Sequence, residues 1–95
     1  MLARALFALL LLAAVPARAE QPVALTPGPG QEVTANACAA CHSLDYIRMN
    51  SPFLTVDGWK AEVAKMRTAF GASIDDAQAD AIVKYLGSAY GAPPS

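Results

Sequence analysis

The chain has 95 residues, of which 55 % are hydrophobic and 16 % charged, and its formal net charge is −1 at pH 7. That length admits one domain at most, and a near-neutral balance excludes the basic surface that a nucleic-acid partner requires. Much of the hydrophobicity sits in the first 19 residues, so the remainder is short of apolar material for a self-sufficient core.

The chain opens with Met1-Leu-Ala-Arg4, continues with an apolar run from Ala5 to Val15, and then reads Pro16-Ala-Arg-Ala19. A basic start, a short apolar run and a small-x-small site are the three parts of a secretory signal, which predicts cleavage after Ala19. A membrane anchor is the alternative, but the run has 11 residues where a span takes about 20. No later stretch is apolar enough to span a bilayer. The expected location is therefore the periplasm, with no membrane span left after cleavage. Removing 19 of 95 residues leaves 76, with five basic against eight acidic side chains and a formal charge of −3. A domain of about 60–80 residues usually needs a staple: disulfides, a metal, a cofactor or a partner.

Residues 20–31 (EQPVALTPGPGQ) hold three prolines and two glycines, which predicts an extended arm acting as a spacer or a partner-binding strap. The domain proper is expected over residues 32–95. Glu32 to Cys41 lacks Pro and Gly and reads as a short helix with Val33, Ala37 and Cys41 on one side. Ser43 to Gly58 reads as a loop. In Trp59 to Phe70, the residues Trp59, Val63, Met66 and Phe70 share one helical face, and Gly71 ends the helix. A last helix starts near Asp75, where Asp75 and Gln78 have capping-box spacing, and continues through Ile82, Tyr85, Leu86 and Ala89 to Gly91, Pro93 and Pro94. No strand is expected.

Cys38-Ala-Ala-Cys41-His42 is the c-type haem attachment pattern. Cysteines three apart on a helical turn project in similar directions, so their sulfurs can form thioethers along one edge of a porphyrin while the adjacent His42 binds iron. Attachment needs reduced thiols outside the cytoplasm, which suits an export signal. Zinc is one alternative, but a closed site takes four ligands and the chain has two cysteines and one histidine. An exported thiol–disulfide oxidoreductase also uses CxxC, normally at the start of a helix in a strand-containing fold. A plain structural disulfide is the third. One covalent haem c answers the core shortage as well, because a buried porphyrin supplies a large apolar body.

With His42 the only histidine, bis-histidine ligation within the chain is excluded, and methionine is the usual partner in electron-transfer cytochromes. Met49 and Met66 are the candidates. Met49 follows His42 by seven residues and Met66 by 24. The longer separation leaves a loop to wrap the ring and a helix to deliver the sulfur, which favours Met66, with Met49 as the alternative. Two filled axial positions leave iron no open site, which points to electron transfer and away from catalysis. Tyr46, Phe53, Trp59 and Tyr85 read as core or pocket wall, and Arg48 as a loop charge able to pair with a propionate.

The run Cys38-Ala-Ala-Cys-His-Ser-Leu-Asp-Tyr-Ile-Arg-Met-Asn-Ser-Pro-Phe-Leu54, with Trp59-Lys-Ala-Glu-Val-Ala-Lys-Met66, Phe70-Gly-Ala-Ser-Ile74 and Ile82-Val-Lys-Tyr-Leu86, resembles the cytochrome c subunit of periplasmic sulfite dehydrogenases (sulfite:cytochrome c oxidoreductases). The resemblance covers about residues 30–91. It implies an all-α class I cytochrome c fold, about three helices around one covalent haem, with the terminal helices crossing near Gly30 and Tyr85. It implies thioethers at Cys38 and Cys41, iron ligation by His42 and a methionine carried onto Met66. It also implies a heterodimer with a molybdenum-cofactor catalytic subunit that oxidises sulfite, and a soluble cytochrome c as electron acceptor. A free periplasmic cytochrome c serving another dehydrogenase or an oxidase is the alternative.

Overall fold

The computed structural model describes residues 24–94. The expected signal at 1–19 and the first part of the arm, 20–23, lie outside the described residues. Four helices follow in chain order: α1 (Gln31–Ala39), α2 (Asp45–Asn50), α3 (Val56–Thr68) and α4 (Asp76–Tyr90). The described residues contain no strand, and the architecture is that of a small all-α, cytochrome-like domain. α4 is the hub, packing against both α3 and α1. Around it Leu25, Cys38, Ile47, Trp59, Val63, Ala79, Ile82, Tyr85 and Leu86 form the core.

α1 begins at Gly30, whose φ of 91° is a left-handed conformation that glycine adopts without a Cβ penalty. It is also the point of closest approach between the terminal helices. A Cβ at Gly30 would lie 2.8 Å from Tyr85 Cβ and 2.9 Å from the Ala81 carbonyl oxygen. The expected crossing near Gly30 and Tyr85 is therefore present. The buried positions of α1 are Thr34 and Cys38, whereas Val33 and Ala37 are half-buried and Cys41 is exposed. The expected face was thus off by one position.

α2 corrects the reading of Ser43 to Gly58 as a loop. Asn50, Ser51 and Pro52 look like breakers, but they come after a turn and a half of helix has formed. Ser43 Oγ accepts from the Asp45 N–H at 3.2 Å, and Ile47 is buried in the core. Phe53, expected as core or pocket wall, is 79 % exposed.

α3 starts three residues before Trp59, because Thr55 is a cap: its hydroxyl accepts from the Gly58 N–H at 3.3 Å. Gly58 therefore belongs to the first turn of the helix. Val56 lies against Gly87 of α4, where an added Cβ would meet Val56 Cγ2 at 2.9 Å. Trp59 is 1 % exposed, and its indole N–H donates to the Tyr90 carbonyl at 3.0 Å. The helix ends at Thr68, so Phe70 lies past it and is 71 % exposed. The chain then turns through Gly71 at φ 67°.

α4 has the expected capping box. Asp75 Oδ1 accepts from the Gln78 N–H at 2.7 Å, and Gln78 Oε1 accepts from the Asp75 N–H at 3.0 Å. Asp75→Ala is expected to cost about 1 kcal/mol, a fall of roughly 4–8 °C in Tm for a domain of this size. Thermal circular dichroism checks it, and Asp75→Asn, whose amide oxygen still accepts from the Gln78 N–H, is expected to avoid most of the loss.

The described part of the arm is strapped down. Leu25 is buried, the Thr26 N–H donates to Tyr90 Oη at 2.9 Å, and Tyr85 Oη donates to the Thr26 carbonyl at 2.6 Å. Burial, followed by the neighbouring Tyr90, pushes the Tyr85 phenol up to about 12.

Candidate functional site

The Cys38–His42 motif lies where α1 runs out. Cys38 is in the last turn, and both the Cys41 and His42 N–H groups donate to the Cys38 carbonyl at 3.4 Å. That turn lets one cysteine sink into the core while the other stays at the surface: Cys38 is buried, Cys41 exposed, and both are free thiols. Burial pushes the Cys38 thiol up.

Those two features weigh against a thiol–disulfide active site. Such a site needs an accessible, stabilised thiolate, which a helix N-terminus favours. Cys38 is buried at the opposite end of its helix, where the dipole disfavours negative charge.

His42 is half-buried, and its Nδ1 lies 3.0 Å from the Ser43 carbonyl oxygen. A carbonyl can only accept, so Nδ1 carries the proton and Nε2 keeps its lone pair for a metal. The His42 ring also meets the Tyr46 ring, with centroids 5.0 Å apart and planes inclined at 47°. Tyr46 Oη donates to Glu62 Oε2 at 3.0 Å, and Lys65 Nζ donates to Glu62 Oε1 at 2.8 Å. The Lys65 ammonium, with help from the phenol, holds the Glu62 carboxyl below the usual carboxylate range.

Beside the motif is a small, partly enclosed apolar cleft of about 70 Å³. Its walls are Ala37, Cys38, Cys41 and His42 from the end of α1, Val63 and Met66 from α3, Phe70, Ala72 and Ile74 from the following loop, and Ile82 from α4. Both cysteines, the histidine and one methionine therefore share a single wall system. The other candidate, Met49, is 70 % exposed on α2 and does not line the cleft. Arg48 is also exposed on α2, and its charge bears on the Tyr90 phenol. Among the described residues, no three His, Cys, Asp or Glu side chains gather where a metal ion could sit.

The donor set fits a covalently held porphyrin iron. Two thiols three apart, an imidazole with a free Nε2 and a soft thioether face a pocket otherwise lined by aliphatic and aromatic carbon.

Sequence reasoning did not find the loop 69–75 as a wall of the site. It is held there by the Ala72 N–H, which donates to the Met66 carbonyl at 2.9 Å, and by the ion pair from Arg67 to Asp76 at 2.7 Å. The signal was present as the apolar Ile74 beyond a helix-ending glycine. Thr34, fully buried with an unpartnered hydroxyl, was also missed; nothing in its sequence context distinguishes it.

A family model described as "Quinohemoprotein amine dehydrogenase A, alpha subunit, haem binding" matches residues 28–95, the whole region holding the four helices and the cleft. No curated protein matches the chain.

Proposed function

The chain belongs to the haem-binding family of quinohemoprotein amine dehydrogenase alpha subunits, and on that premise we propose that it is an exported monohaem c-type cytochrome, an electron-transfer subunit without a catalytic site of its own. The observation that carries this reading is the convergence of Cys38, Cys41, His42 and Met66 on one apolar cleft. Cys38 and Cys41 would hold the haem through thioethers, and His42 Nε2 and Met66 Sδ would ligate its iron. Haem bound there supplies a one-electron couple, whose potential a methionine ligand raises.

The residues of the chain do the rest. Val63, Phe70, Ile74 and Ile82 line the cleft with apolar carbon, the surroundings a porphyrin face takes. The Ser43 carbonyl fixes the imidazole tautomer.

The finer reading names the donor. We infer a molybdenum-cofactor sulfite dehydrogenase subunit as donor and a soluble cytochrome c as acceptor. The Ser43-Leu-Asp-Tyr-Ile-Arg-Met-Asn-Ser-Pro-Phe53 run supports it. The family description favours a second reading, in which the donor is an amine-oxidising dehydrogenase. Purification of the native complex from the periplasm discriminates between them. Molybdenum stoichiometric with haem iron is the expected result, and a co-purifying dehydrogenase without molybdenum removes the sulfite reading. Recovery of the chain from the cytoplasm with residues 1–19 attached removes the export reading.

Attachment itself is tested by the Cys38→Ser/Cys41→Ser double variant. It is expected to lose all haem on acid–organic extraction, leaving a chain with the mass of the polypeptide alone. The unsubstituted chain keeps its colour through the same treatment. A colourless unsubstituted chain from a host with competent maturation machinery ends the cytochrome reading.

A further inference from the structure

His42 lies outside any helix, in the bend between α1 and α2. The hydrogen bond to the Ser43 carbonyl fixes its tautomer, but a bond to the adjacent residue alone leaves the ring plane weakly constrained. A second constraint comes from Tyr46, one residue into α2. Its ring lies 5.0 Å from the imidazole, within the range of favourable aromatic contact. Tyr46 is itself held from two sides. Its backbone carbonyl accepts from Asn50 Nδ2 at 2.8 Å, and its hydroxyl donates across to Glu62 Oε2 on α3 at 3.0 Å. Glu62 is in turn fixed by Lys65 at 2.8 Å. Ile47, the next residue, anchors α2 in the core at 1 % exposure.

We propose that Tyr46 is a positioning residue for His42, a strut on α2 braced against α3 through Glu62, that sets the plane of the imidazole and shields its edge from water. The proposal rests on His42 being the iron ligand, as proposed above. Outer groups that orient a ligating histidine tune both its geometry and the local dielectric, and so the potential of the metal. Motif spacing alone does not place Tyr46 in this role; the bond to Glu62, 16 residues away, does.

The test uses the full chain with haem attached, as Tyr46→Leu, Tyr46→Phe and Glu62→Gln. The readouts are the g values of the ferric low-spin EPR signal and the reduced-to-oxidised ratio at a fixed redox poise, with Tm recorded alongside. Tyr46→Leu exposes the imidazole edge and shifts the ratio toward the oxidised form by at most roughly tenfold, the limit reached if the whole of one aromatic pair is lost from the reduced form alone. Tyr46→Phe keeps the ring and the packing but cuts the tie to α3, and its g signal broadens. Glu62→Gln, whose amide oxygen still accepts from the phenol, keeps the wild-type signal.

Wild-type g values and ratio in Tyr46→Phe and in any folded Tyr46→Leu overturn the proposal, even with a lowered Tm. So does a Glu62→Gln shift as large as that of Tyr46→Leu, since charge and not orientation would then be at work. A His42→Ala variant with an unchanged ferric spectrum overturns the ligation reading itself, and is recognised separately from either result.

Discussion

Met66→Ala is expected to lower the reduction potential by on the order of 0.1 V or more, within the ~0.8 V that axial ligation spans, and to abolish the sulfur-to-iron charge-transfer band. Met49→Ala is expected to leave both unchanged. The contrast follows from placement. Met66 is half-buried on α3 and lines the cleft with Cys38, Cys41 and His42, whereas Met49 is 70 % exposed on α2 and lines none of it. Removing a neutral thioether leaves water or a harder donor to fill the position, which favours the ferric state. The thioethers proposed at Cys38 and Cys41 would not depend on Met66, so the variant should stay coloured and its potential readable by optical titration. The opposite pattern, with the band lost only in Met49→Ala, transfers the ligand role to Met49 and requires α2 to rearrange.

Gly30→Val should be the most damaging single change away from the site. Gly30 combines a φ of 91° with added-Cβ distances of 2.8 Å to Tyr85 Cβ and 2.9 Å to the Ala81 carbonyl. Left-handed backbone costs a side-chain-bearing residue about 1–2 kcal/mol, and overpacking adds about 1–3 kcal/mol. The neighbours here are backbone and the root of a buried side chain, neither of which can swing aside. A loss of about 3 kcal/mol or more is expected, a fall in Tm on the order of 12 °C or greater for a domain of this size. Gly71→Ala is the control. Its φ is also positive, at 67°, but no atom lies within 4 Å of an added Cβ, so only the backbone cost of about 1–2 kcal/mol applies. Equal losses in the two variants would show that the α1–α4 contact is not close-packed.

Local chemistry was the legible part of this fold. The Asp75–Gln78 box reads off the sequence because both partners of each bond lie within four residues. The Cys38–His42 motif reads off for the same reason. What depends on distant partners did not. Asp45–Asn50 looked like loop because its helix is held by Ile47 in a core assembled from other elements, and not by its own propensity. Phe70 was placed on the apolar face of α3 by spacing, yet the helix stops at Thr68 and leaves it at the rim of the cleft. The choice of Met66 over Met49 rested on loop length; that Met66 lines the cleft and Met49 does not could not be read from spacing. The loop 69–75 became part of the site only when its hydrogen bond to Met66 and the Arg67–Asp76 pair were seen.

The bond from Thr26 to Tyr90 joins positions 64 apart in sequence, and Tyr90 is also gripped through its carbonyl by Ser51 at 3.0 Å. Entry and exit of the helical unit thus sit at one corner. Thr26, just before the first helix, and Tyr90, at the end of the last, are therefore neighbours in space although they lie at opposite ends of the helical unit. Reporters placed beside Thr26 and Tyr90 would give high energy transfer while the domain is folded, and the signal would collapse when α4 detaches.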